Sequence, residues 1–104
     1  SGGNSSSLAI TKQPVSVTIK RSETAVFSIE ATGTGLTYQW QYSNNSGSTW
    51  TNLTEGTGAS GTQTNTVTRS NFYMTISNQL HRCIVTDSSG NQVISNTASL
   101  TVTS

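Results

Sequence analysis

Charge and cross-linking chemistry are what this 104-residue sequence has least of, with one cysteine, one histidine, four acidic and five basic residues. A single cysteine, Cys83, leaves no internal disulfide to form. A charged fraction of 9% excludes an open polyelectrolyte, because such chains stay unfolded through strong net charge. The formal net charge is +1, with no cluster of Lys or Arg, so there is no electrostatic footprint for nucleic acid or an anionic membrane. No apolar run is long enough to insert in a bilayer. The four acids, Glu23, Glu30, Glu55 and Asp87, fall on separate turns or on an outward strand position. Glycoside hydrolysis needs two carboxyl groups about 5–10 Å apart across a sugar, and nothing in their spacing suggests such a pair.

Abundant instead are Ser, Thr, Asn and Gly, set between short β-branched segments, a composition that points to all-β structure. Residues 1–7 (SGGNSSS) read as a flexible tail or linker, and residues 8–104 as one domain. The organising stretch is Leu36-Thr37-Tyr38-Gln39-Trp40-Gln41-Tyr42, whose apolar residues fall on every second position. That period belongs to a strand with one buried and one wet face, and Trp40 is its largest core candidate.

Other strands follow the same rule. Leu8 to Ile10 and then Val15, Val17 and Ile19 form a first strand interrupted at Pro14, where the chain is expected to switch sheets. Ala25, Phe27, Ile29 and Ala31 alternate along a second strand that ends at Gly33-Thr34-Gly35. Residues 43–48 (SNNSGS) form a hairpin loop, and residues 49–53 return as a short edge strand carrying Trp50. A glycine-bearing loop over 55–61 leads to a polar strand over 63–69. Phe72, Met74 and Ile76 are then expected to drop onto the bottom of the core. His81, Cys83 and Val85 alternate inward, residues 87–91 turn, and Ala98, Leu100 and Val102 share one face of the last strand. Recurring short strands with no helix-length apolar pattern imply a sandwich.

These residues resemble the immunoglobulin-like modules of bacterial surface proteins and phage structural proteins. The likeness covers Ile10 to Val102 and rests on Gln13-Pro14, residues 25–33 (AVFSIEATG), Tyr38-Gln39-Trp40-Gln41, residues 47–53 (GSTWTNL), residues 82–87 (RCIVTD) and residues 95–102 (SNTASLTV). It implies an immunoglobulin-like antiparallel β-sandwich, a Greek key of seven or more strands. Two positions depart from the pattern. Ile29 stands where the second-strand cysteine belongs, leaving Cys83 unpartnered. His81 stands where a tyrosine normally precedes the sixth-strand cysteine, and it is expected to hydrogen-bond backbone at the corner instead.

Candidate chemistry is thin. His81 and Cys83 share a strand face but should both point into the core, where a cysteine behaves as a small hydrophobe. Asp87 with Asn91 could hold only a weak calcium. Lys12 and Lys20 could form a Lys–Asn isopeptide bond, but no acid is placed to assist. No enzyme and no cofactor are expected. The best functional candidates are aromatic, because sugars stack on exposed Trp or Tyr beside amides and hydroxyls. Trp50 and Tyr42 are expected to face each other across the hairpin, with Asn44, Asn45 and Asn52 nearby and Tyr73 exposed. Together they are expected to form a ligand platform for cell-surface or plant polysaccharide glycans. The plainer reading is that Trp50 covers the sheet edge. The resemblance implies a non-catalytic extracellular module, on a cell or virion surface, used for display, adhesion or glycan binding. The alternative is a spacer or decorating subunit that contacts other domains of its parent assembly.

Overall fold

The computed structural model describes residues 8–70, 72 and 74–104. The expected tail over 1–7, and Tyr73, lie outside them. Eleven strands are present among the described residues: β1 Ala9–Lys12, β2 Val17–Lys20, β3 Ala25–Ser28, β4 Glu30–Thr32, β5 Thr37–Ser43, β6 Thr51–Asn52, β7 Ala59–Ser60, β8 Thr66–Arg69, β9 Ile76–Thr86, β10 Gln92–Ile94 and β11 Ala98–Thr103. One layer runs β2-β11-β9-β5-β6, with β10 also on β9, and the other is built from β3-β8-β7 and β1-β4. β3 and β4 are a single run broken at Ile29, whose N–H goes to the carbonyl of Asn65.

Pro14 is buried between β1, which pairs antiparallel with β4, and β2, which pairs parallel with β11. The chain therefore changes sheets at the residue that cannot donate to a ladder. Gln13 and Ser16 fasten the crossing by accepting the N–H groups of Asn96 and Ser99.

The inner faces follow strand parity. Phe27, Ile29 and Val67 from one layer meet Trp40, Cys83, Val85, Leu100 and Val102 from the other, all buried in one cluster. Trp40 is fully buried, its ring tilted 6.5 Å from that of Phe27, and its indole N–H donates to the Thr64 carbonyl at 2.8 Å. That bond satisfies the one polar atom a buried tryptophan carries.

Three expectations need correction. Met74 is 73% exposed, not part of the core, because it sits in a bend between Phe72 and β9 where a two-residue period no longer holds. The polar strand starts at Thr66, not residue 63, because Gly61 and Thr64 close a turn. Gly61 has φ +74°, and a Cβ there would lie 2.2 Å from the Thr66 carbonyl oxygen, so only glycine fits. The loop over 55–61 also contains the short strand β7. Hydrogen bonds from Arg69 and Ser70 to the Gly58 carbonyl hold the loop there.

Cys83 is a free, buried thiol, and Ile29 belongs to the same cluster. Burial pushes the thiol up to about 12, so it is protonated and unreactive in the folded chain. Iodoacetamide should label none of the native protein and one thiol per chain after denaturation, as read by intact mass. Labelling at native pH 7.5 would contradict this core placement.

Candidate functional site

The outward positions of the larger sheet carry a polar ladder. On β9, His81, Cys83 and Val85 point inward, which turns Arg82, Ile84 and Thr86 outward. Gln41 pairs across strands with both Arg82 and Asn52. Its Nε2 donates to Asn52 Oδ1 at 2.8 Å and its Oε1 accepts from Arg82 Nε at 2.8 Å. The Arg82 guanidinium lies 4.1 Å from the centroid of the Trp50 ring, a cation–π contact that orients the indole. Beside this ladder runs a shallow trough of about 570 Å³, lined among others by Gln39, Gln41, Asn52, Gln63, Thr86 and Gln92.

The expected platform divides between two places. Trp50 is half-buried and sits outside the strand, since β6 begins at Thr51. The residue opposite Tyr42 is Thr51, so Trp50 and Tyr42 do not face each other across the hairpin. A one-residue offset in a ladder moves a side chain to the other face. Tyr42 packs against the core, with the Arg69 guanidinium 5.6 Å from its ring. Asn52 joins Trp50 through the ladder, while Asn44 turns to Gln79 and accepts its Nε2 at 2.8 Å. Asn45 is spent inside the hairpin, accepting from Ser43 Oγ and Thr49 N and donating to Thr49 Oγ1.

Gln41, Arg82, Arg69 and Gln79 were not among the expected site residues. Parity alone could have flagged the first two, since each is next to a core residue and must face outward. Arg69 and Gln79 gave no such signal.

Arg69 and Gln79 line a second groove, of about 560 Å³, along the open flank between β6 and β7. Arg69 Nε donates to the Gly58 carbonyl at 3.0 Å, and its guanidinium also lies 5.3 Å from the Phe72 ring. Its Nη1 is 2.9 Å from His81 Nε2. A guanidinium only donates, so Nε2 is the acceptor and the His81 proton sits on Nδ1, which faces the Gln79 carbonyl at 3.3 Å. His81 thus makes the corner contact to backbone expected of it, and its ring stacks on Phe27 at 4.6 Å.

Burial, with the Arg69 cation beside it, pushes the His81 imidazole down to about 3. With the Cys83 thiol at about 12, neither group can pass a proton near neutral pH. The four acids are tied to separate segments or exposed. Glu23 accepts from the Lys20 N–H, Glu30 is exposed on β4, Glu55 accepts from Thr62 N and Oγ1, and Asp87 is held in its turn. The Asp87 carboxylate accepts from Asn91 Nδ2, Asn91 N and Ser89 N, bonds that hold it below the usual range. Among the described residues no group of three or more His, Cys, Asp or Glu could hold a metal ion.

No protein-family model and no curated protein matches the sequence. Among solved structures the chain is similar to the titin M3 domain, with a TM-score of 0.68 and 14% identity over 93% of this chain and 97% of that one. It is also similar to the I67–I69 I-band fragment of titin, with a TM-score of 0.68 and 21% identity, covering 91% of this chain and 32% of that one. A third is Duf (Kirre) D1, with a TM-score of 0.66 and 14% identity over 91% and 95% of the two chains. At these identities the likeness is one of fold, which is the immunoglobulin-like sandwich.

Proposed function

We propose that this chain is a non-catalytic immunoglobulin-like module of a larger extracellular bacterial protein or phage virion. It serves display or adhesion there by recognising cell-surface or plant polysaccharide glycans on the outer face of its larger sheet. The observation that carries the reading is the half-exposed Trp50, oriented by Arg82 at the end of the Arg82–Gln41–Asn52 ladder. A sugar ring stacks on an aromatic face, and neighbouring amides offer both donors and acceptors to its hydroxyls. The ladder's hydrogen bonds hold its side chains before any ligand arrives, which lowers the ordering cost of binding. An open face of this kind suits weak affinity, on the order of 10–1,000 μM, or about −4 to −7 kcal/mol.

One observation favours the spacer or decoration reading. Arg82 covers one face of the indole, and Gly47 lies so close that a Cβ there would sit 3.6 Å from the ring. A tryptophan packed in this way also suits a cover for the sheet edge. A glycan array followed by calorimetry on Trp50→Ala separates the two. The expected result is loss of binding with a smaller drop in stability than Trp40→Ala produces. Binding that survives Trp50→Ala would remove the platform.

A further inference from the structure

We propose that the flank groove between β6 and β7 is a second binding site, which takes the carboxylate of a uronic-acid saccharide on Arg69. The saccharide part of this inference rests on the glycan reading above; the carboxylate part rests on the groove alone. Arg69 is half-buried in the groove lining, its guanidinium 5.6 Å from the Tyr42 ring and 5.3 Å from the Phe72 ring, so the fork is partly desolvated. Its Nε and Nη1 are committed to Gly58 and His81, and among the described residues its Nη2 group has no acceptor. Neither partner is an anion. Glu55 lines the same groove, but its carboxylate is engaged by Thr62 N and Oγ1; those of Glu23 and Asp87 are hydrogen-bonded in other segments, and among the described residues Arg69 has no ion pair. A partly desolvated guanidinium without a counter-charge is a site for a planar anion, which it grips through its fork.

A second, independent feature lies in the same groove. Gln79 is 7% exposed, and its Oε1 is buried with no hydrogen-bond partner, while its Nε2 donates to Asn44. A buried acceptor left unmade is costly, and a hydroxyl entering beside the exposed Asn44 as that side chain swings aside would complete it. The ligand must therefore bring a carboxylate to Arg69 and a hydroxyl to Gln79. Thr51 and Thr54 add hydroxyls along the same wall. An acidic saccharide carries both groups on one ring. A peptide fits less well, because β6 is only two residues long and offers too short an edge to add a strand.

The test is an amide and side-chain NMR titration of the full chain with tri-galacturonate. Shifts are expected at the Gly58 amide and the Arg69 Nε–H, weakened by added salt. The methyl ester of the same trisaccharide, which keeps the shape and loses the charge, should leave both resonances in place. Arg69→Lys keeps the charge without the fork and should bind on the order of ten-fold more weakly. If that variant fails to fold, the ester comparison on the wild type still decides. Equal shifts with the ester, or none at Gly58 with the acid, would overturn the site. Equal shifts with an acidic tripeptide would overturn the saccharide assignment. The Trp50 indole N–H reports the outer face separately, so failure there and failure here are read from different signals.

Discussion

Trp40→Ala should lower stability by about 3–5 kcal/mol, the usual cost of deleting a fully buried aromatic. Two effects add. The first is a cavity between the layers, where the indole now meets Phe27 and packs in the cluster with Cys83 and Leu100. The second is the Thr64 carbonyl, which loses the indole N–H at 2.8 Å. A small domain is stable by about 5–15 kcal/mol, so a loss of this size moves the urea midpoint far to the left. Trp40→Phe fills much of the cavity but leaves Thr64 without its donor, and should fall between wild type and Trp40→Ala. A Trp40→Ala midpoint shift no larger than that of Trp50→Ala would mean that the core is centred elsewhere.

Parity made the core legible because it needs only one strand at a time. Trp40, the His81-Cys83-Val85 run and the Ala98-Leu100-Val102 run all face inward as their alternation implies. The structural neighbours support the immunoglobulin-like fold to which the sequence pattern points. Parity fails where the backbone leaves the strand: Met74 swings out at a bend, and Trp50 lies just before β6. Register depends on two strands and on the turn joining them, so the Tyr42–Thr51 pairing could not be read from either strand alone. The same limit hid Arg69. Its partners are His81, twelve positions on in another layer, and the Gly58 carbonyl, eleven positions back in a loop. No local pattern joins those three, and Arg69 reads only as the end of a polar strand.

That hidden contact also sets the expected response to acid. In the folded chain His81 is neutral, with its imidazole pushed down to about 3, first by burial and then by Arg69. In the unfolded chain it titrates near 6.5. Between those values the unfolded state binds the extra proton, so stability is complete above about pH 6.5 and falls as the pH drops toward 3. The full shift corresponds to a loss of about 5 kcal/mol, at no more than about 1.4 kcal/mol per pH unit. Folded-state protonation would take away the acceptor that Nε2 offers Arg69 and set a second cation against that guanidinium. Glu55 and Asp87 also destabilise the fold in acid, because hydrogen bonds hold both carboxyls low. Their unfolded-state values are near 4, so their losses begin below the upper part of the His81 window. The interval from pH 6.5 to 5 therefore belongs to His81. Urea unfolding across that interval should show falling stability in the wild type and a flat profile in His81→Gln, whatever the variant's absolute stability. A flat wild-type profile, or a native His81 ring that titrates near 6.5 by NMR, would show that Arg69 does not face a buried neutral imidazole.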